Sequence, residues 1–214
     1  MINKCMDNRY DFEFSVTSFC QAKCRSCSRF DDDGELIKGL VPAHVPIERF
    51  KQSVNNLEGV HVGQIILCGE HGDPMMHPKI GEIIEYASKN HIVNIMTNGG
   101  LRNPAFYEKL AKNKRVAISW GIYGLDHETN WNYREGVDFN RAWDNMTTWF
   151  KHTTMGRWEF LIFEWNYHQI QDVYDTAMKL GIQIEFKLNT RSWGYLQSPK
   201  REEVIEQLKH LHKG

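Results

Sequence analysis

The 214-residue chain sets 26 Lys and Arg against 27 Asp and Glu, a formal charge of −1, which leaves no broad cationic face for nucleic-acid phosphates. Hydrophobic residues make up 41% and aromatics 12%, enough for a sizeable core and too many for a disordered chain. No apolar run has the length of a membrane span, and the start, MINKCMDNRYDFEF, lacks the apolar stretch of a signal peptide, so the expectation is a cytoplasmic protein with no membrane partner.

Short β-rich apolar runs alternate with helical patterns along the whole sequence. Phe12–Thr17 reads as a strand ending just before a cysteine-rich loop. Pro46–Leu57 places Ile47, Phe50, Val54 and Leu57 at helical spacing, with Pro46 suited to the first turn. Gln64–Cys68 is a second strand, Pro78–Asn90 a helix, and Ile92–Met96 a third strand. Asn103 followed by Pro104 reads as a cap and first helical residue of a helix to about Lys112. Arg115–Trp120 is the next strand, Phe139–Lys151 the next helix, and Trp158–Phe163 a fifth strand. Asn166, with Gln169 as capping-box partner, opens a helix that ends at Leu180 before Gly181. Ile182–Leu188 is the last strand and Pro199–Lys213 a closing helix.

Six strands and six helices in alternation imply parallel βαβ units with right-handed crossovers. Six units are too few for an eight-fold barrel. The expected fold is therefore α/β: a partial (β/α)6 barrel with a curved parallel sheet. One domain over residues 1–214 is expected, with 1–11 an N-terminal extension and 199–214 a C-terminal helix. The short acidic turn Asp31–Gly34 reads as a solvated loop.

Five cysteines, an odd number, are too few for a disulfide scaffold. Cys20, Cys24 and Cys27 crowd into the run CQAKCRSC, whereas Cys5 and Cys68 stand apart. Three thiols so close cannot all pair well with one another, so they read as ligands converging on one metal centre. A structural zinc site wants four ligands, often from two knuckles, and only one knuckle is present. His44 is a conceivable fourth ligand without local support. An iron–sulfur cluster held by three thiolates, with one iron left open, is the reading preferred here over zinc and over unligated thiols.

A C-x3-C-x2-C loop directly after the first strand of such a sheet resembles the radical S-adenosylmethionine (SAM) superfamily. The second strand runs into Cys68-Gly69-Glu70-His71-Gly72-Asp73-Pro74, similar to that family's glycine-rich, acidic, proline turn. Thr97-Asn98-Gly99 resembles its Thr-Asn-Gly, and Ala117–Asp126 the strand with a SAM-contacting serine followed by a Gly-Leu-Asp turn. Asn132–Gly136 is similar to the Tyr-Arg-x-Gly segment of the peptide-modifying branch with SPASM or Twitch extensions.

The resemblance implies a 4Fe-4S cluster on Cys20, Cys24 and Cys27, and SAM held by Gly72, Asp73, Asn98, Ser119 and Arg134. It also implies reductive cleavage of SAM to a 5′-deoxyadenosyl radical, with an external flavodoxin- or ferredoxin-like one-electron donor. Each residue has a plainer reading as well. Gly72-Asp73-Pro74 is ordinary turn chemistry, with Glu70 competing for the acidic role. The Ser119 hydroxyl, in a strand whose interior should be dry, needs a partner, either a ligand carboxylate or a neighbouring carbonyl. Arg134 either grips the SAM carboxylate in bidentate fashion or is a surface arginine. Asn98 either meets the ligand at a strand's carboxyl end or shapes the turn before Gly99.

His71 and His77 read either as contacts to substrate or SAM or, the commoner case, as loop histidines facing solvent, and Cys68 as a small buried hydrophobe. Cys5 reads as a free thiol. Glu164, Lys187, Asn189 and Arg191 fall at or near the last two strand ends, facing a substrate opening. The tryptophans read as core, with Trp165 and Trp193 candidates for lining a pocket. The family often has an aromatic before the third cysteine, near the adenine. Here Ser26 stands there, and Phe19 or Phe30 is the candidate to cover the same space. No cysteine follows Cys68, so one cluster is expected and no auxiliary ones. The chain is expected to leave no room for a separate substrate domain. An exposed edge after the sixth strand leaves room for a homodimer.

The leading reading is a radical SAM enzyme acting on a peptide or protein. A nucleoside- or base-modifying member resembling carboxydeazaguanine synthase, a glycyl-radical activase, and a non-catalytic iron–sulfur or zinc module stay open as alternatives.

Overall fold

The expected alternation is realised as one sheet whose strands lie side by side in chain order: β1 (Ile2–Lys4), β2 (Tyr10–Ser15), β3 (Val62–Cys68), β4 (Val93–Thr97), β5 (Val116–Gly121), β6 (Gly156–Ile162) and β7 (Ile184–Leu188). A computed structural model describes residues 2–4 (backbone only), 9–191 and 193–211. Strands β2 to β7 run parallel. The two edges do not meet, so the sheet is an unclosed six-stranded partial barrel with an extra strand. Each parallel crossover carries helix: α1 (Ile47–Asn55), α2 (Ile80–Ala87), α3 (Pro104–Leu110), α4 (His127–Trp131) with α5 (Phe139–His152), and α6 (Ile170–Leu180). A last helix, α7 (Lys200–Leu211), follows β7.

Four local expectations change. The stretch read as an extension contains β1, which pairs antiparallel with β2; three residues are too few to show alternation. Cys5 lies outside the described residues. Helix α4, at five residues, is too short to leave a periodic pattern, and Asp126 caps it by accepting from the Thr129 N–H at 2.7 Å. Pro46 is the residue before α1 rather than in its first turn. The capping box at Asn166 does not form, because that side chain is drawn inward. Its Oδ1 accepts from the Phe163 N–H at 2.7 Å, and its Nδ2 donates to the Tyr123 and Leu161 carbonyls. Gln169 instead donates to Asp126. Asn103 does cap α3, accepting from the Phe106 N–H at 3.0 Å, and Gly181 ends α6 in the left-handed conformation with φ of 66°.

Strand alternation divides the sheet chemically. Ile65, Leu67, Val93, Ile95, Val116, Ile118, Trp120, Trp158, Phe160 and Ile162 share one face, and each is fully buried. They form one core with Ile83, Ala142, Met146, Trp149, Val173 and Ala177 of the helices. The other face, expected to be dry, carries Asn94, Ser119, Arg157, Glu159, Glu185 and Lys187 instead. The helical layer covers the apolar side, so the polar side is free to hold ligands. The tryptophans divide likewise, with Trp120, Trp149 and Trp158 in the core and Trp131 exposed. Phe160→Ala is expected to cost about 3–5 kcal/mol through the cavity it leaves, read as a lower denaturant midpoint.

Candidate functional site

The carboxyl ends of the parallel strands converge on a cavity of about 160 Å3, with Cys20 and Cys68 on its wall. Gly72, Asp73, Asn98, Ser119 and Arg134 all line it, although they come from four separate strand–helix connections or strands. A larger concavity of about 760 Å3, bounded by Met76, Arg102 and Phe106, contains none of them. Chemistry, not size, singles out the smaller one.

The cysteines sit on the long connection between β2 and α1, which four segments hold in shape. At its base the Val45 N–H donates to the Val16 carbonyl at 2.9 Å, and the Ser18 N–H to Ala43 at 3.0 Å. Arg29, buried to 8% exposure, donates to the carbonyls of Cys20 at 3.2 Å and Ala22 at 3.3 Å. The Lys23 N–H donates to the Glu135 carbonyl at 2.8 Å. Arg191 donates to the Ser26 carbonyl at 2.7 Å and the Tyr133 hydroxyl at 2.9 Å. Arg191 thus shapes the cysteine loop rather than a substrate opening.

The three cysteines line two concavities. Cys20 faces the cavity, whereas Cys24 and Cys27 line a concavity of about 510 Å3 with Arg25, Phe30 and Trp193. Among the described residues, no three His, Cys, Asp or Glu side chains are grouped as one metal ion requires. His44 pairs instead with the Thr17 hydroxyl at 2.8 Å and packs on Phe19. A mononuclear zinc site therefore has little to work with among the described residues. The sulfurs also receive N–H donors that favour ligating thiolates. Ala22 N lies 3.4 Å and Asn98 Nδ2 3.7 Å from Cys20 Sγ, and Arg134 Nη1 lies 3.3 Å from Cys24 Sγ. Burial, reinforced by Asp73, pushes the Cys20 thiol up to about 12, so metal-free protein holds it protonated at neutral pH.

Asp73 is the joint of the site. At 4% exposure, its Oδ1 accepts from the Met75 N–H at 2.9 Å, and its Oδ2 from the Asn98 N–H at 2.9 Å. The Thr97 hydroxyl lies within 3.0 Å of both oxygens. Burial raises this carboxyl above its usual range, and those same donors work against the rise. Its own N–H donates to the Phe19 carbonyl at 3.0 Å. Gly72 alongside is required by close approach, because a Cβ there would run into the Thr17 carbonyl oxygen. One turn therefore locks the end of β3 to the end of β4 and to the cysteine loop. Glu70, its competitor, is exposed.

Asn98 spans the same junction, its Oδ1 accepting from Gln21 Nε2 at 2.7 Å and the Gly100 N–H at 2.9 Å. Ser119 donates to Asn94 Oδ1 at 3.3 Å, a neighbouring amide carbonyl. Arg134 is half-buried and its guanidinium is engaged by the protein rather than free at the surface. Besides Cys24 it donates to the Tyr123 hydroxyl at 2.8 Å and the Gly121 carbonyl at 3.3 Å, with Tyr123 and Tyr133 under its plane. Burial opposes its charge, but Tyr123 and Cys24 more than offset that, so the guanidinium stays a fixed cation at the cavity wall.

Other expectations resolve as follows. Cys68 is half-buried and lines the cavity rather than filling core, and burial with Glu13 nearby raises its thiol to about 11. His77 is buried, bridging the Val45 carbonyl and the Lys79 N–H. Asn189 is spent on the Arg191 and Trp193 carbonyls, and Glu164 is exposed. Trp193 lines the concavity beside Cys24, while Trp165 stacks on Phe163 at 4.4 Å. Neither Phe19 nor Phe30 lines the cavity. Gln21, Arg29, Tyr123 and Glu159 were not singled out from sequence, and only contacts between distant segments reveal them.

The sequence matches the Radical SAM superfamily over residues 14–177, and the chain belongs to that superfamily. Among solved structures, SuiB of Streptococcus suis bound to S-adenosylmethionine is similar, with a TM-score of 0.75 at 15% identity over 94% of this chain and 48% of SuiB. AnSMEcpe with bound AdoMet is similar at a TM-score of 0.69 and 17% identity, over 95% of this chain and 59% of that one. Methylornithine synthase (PylB) gives 0.64 and 15%, covering 94% and 61%. The chain spans about half the length of SuiB. A search of curated proteins finds no match.

Two outcomes follow for the cluster-free protein. Asp73→Ala, which strands the Met75 and Asn98 N–H groups, is expected to destabilise by about 2–4 kcal/mol in denaturant melts. Alkylation of Cys20, followed by mass spectrometry, should stay slow at pH 8 and rise about tenfold per pH unit until the thiol titrates.

Proposed function

We infer that this chain is a radical SAM enzyme whose 4Fe-4S cluster is held by Cys20, Cys24 and Cys27, with SAM bound in the adjoining cavity. The observation that carries this reading is that five residues chosen for SAM, scattered from Gly72 to Arg134, line one cavity beside Cys20. Such a cavity, at the carboxyl ends of parallel strands, is where sheets of this kind bind ligands.

Each residue then has a task that its environment supports. Arg134 offers several N–H donors from a rigid plane, suited to a ligand carboxylate. Asp73 is saturated by protein donors, so its part is to hold the turn. The Gly72 carbonyl and its neighbours are then the acceptors left for a ligand ammonium. Asn98 and Ser119 supply short polar contacts along β4 and β5. When bound, the cluster supplies one electron to cleave SAM to methionine and a 5′-deoxyadenosyl radical that abstracts hydrogen from substrate. The chain's contribution is orientation and exclusion of water. The electron comes from an external flavodoxin- or ferredoxin-like donor.

A peptide or protein is the substrate class favoured here. SuiB has been solved with its precursor peptide SuiA and anSMEcpe with peptides, and the Asn132–Gly136 turn resembles that branch. No described helix is long and apolar enough to cross a membrane.

Anaerobic reconstitution with iron and sulfide, followed by SAM and dithionite, should yield 5′-deoxyadenosine in the wild type and none above background in Cys24→Ala. Undiminished product in that variant contradicts the ligand assignment. Arg134→Lys should weaken SAM binding about tenfold or more through loss of planar bidentate geometry, measured by equilibrium dialysis.

A further inference from the structure

Arg29 is a buried cation that no acidic side chain balances. It is 8% exposed, and among the described residues no carboxylate pairs with it. Its Nη1 donates to two neutral carbonyls, of Cys20 at 3.2 Å and Ala22 at 3.3 Å, and its Cζ lies 5.0 Å from the centre of the Phe30 ring. Its Nε is buried with no hydrogen-bond acceptor among the described residues. The acidic run Asp31–Asp33 that follows is exposed, and Asp31 Oδ1 is engaged by the N–H groups of Asp33 and Glu35. A buried charge in this state is costly, and native proteins pair it.

The partner belongs to the loop that Arg29 already holds. On the radical SAM reading, on which this inference rests, Cys20, Cys24 and Cys27 ligate as thiolates, so the loop becomes anionic when the cluster binds. Nη1 reaches the Cys20 carbonyl, and bond lengths keep that oxygen within about 5 Å of its own sulfur, so the guanidinium lies within about 8 Å of Cys20 Sγ. Lys23, Arg25 and Arg191 also flank the loop, but they are exposed and screened by water. We propose that Arg29 is the fixed counter-cation of the cluster and raises its reduction potential. The step it serves is transfer of one electron from the external donor to the cluster. No bond forms or breaks and no proton moves; the cluster with its thiolates gains one negative charge. A buried cation at about 8 Å favours that gain by about tenfold. Arg29 touches no reacting atom and acts through its charge.

Arg29→Lys keeps the charge and Arg29→Gln removes it, while both lose the planar hold on the two carbonyls. Potentiometric titration of the anaerobically reconstituted chain without SAM, followed by electron paramagnetic resonance of the reduced cluster, separates charge from shape. Arg29→Gln should lower the midpoint by about 59 mV or more, a tenfold less favourable one-electron reduction, and Arg29→Lys should stay close to the wild type. A wild-type midpoint in Arg29→Gln overturns the assignment, as do equal shifts in the two variants. Cluster uptake by Arg29→Lys but not by Arg29→Gln supports it; uptake by neither overturns it in favour of a role in holding the loop. A wild type without a reduced four-iron signal overturns the radical SAM reading, and this assignment with it.

Discussion

The site depends on one buried carboxylate that is satisfied almost entirely by its own protein. Asp73 joins the end of β3 to the end of β4 through the Thr97 hydroxyl and the Asn98 N–H, while its backbone N–H ties the same turn to the cysteine loop at Phe19. A buried ionisable group is costly unless its hydrogen bonds are made, and here they are made by its own turn at Met75 and by the end of β4 at Thr97 and Asn98. The penalty for separating any of them is what keeps Cys20, Asn98 and the Gly72 turn in one arrangement. Gly72 allows the close approach, and Arg29 and Arg191 extend the same logic by holding loop carbonyls from either side.

The two faces of the sheet divide the labour. Fully buried Ile, Val, Leu, Trp and Phe side chains under the helices supply the cohesion, and they leave the opposite face free of that duty. That face can then carry Asn94, Ser119, Arg157, Glu159, Glu185 and Lys187, a set that a closed eight-stranded barrel would replace with packed aliphatic layers. An unclosed sheet makes such a polar interior affordable, because solvent and ligand reach it. The charges there are paired, as the Glu159–Lys187 and Glu159–Arg157 contacts show.

Much of this was legible in the sequence where the signal is local. The parallel strands, five of the crossover helices, the Asn103 cap and the Gly181 stop all follow from periodicity and turn chemistry within a dozen residues. Features that depend on distant partners were not legible. Asn166 carries the chemistry of a cap, but the Tyr123 and Leu161 carbonyls offered its side chain better employment. Asp73 carries the chemistry of a ligand acceptor, and only Thr97 and Asn98 reveal it as occupied. Nothing local marks Glu159 within its strand, and only the pairing of β6 with β7 brings it to Lys187. His77 was misread for the same reason, since its buried partner at Val45 lies on another loop.

The central claim is that Cys20, Cys24 and Cys27 hold a cluster with an iron open to SAM. Low-temperature electron paramagnetic resonance of the anaerobically reconstituted, dithionite-reduced protein, with and without SAM, tests it most directly. The account predicts a reduced four-iron signal whose g-values shift when SAM is added. A four-iron signal indifferent to saturating SAM, or no iron–sulfur signal in protein that has taken up iron and sulfide, would contradict it.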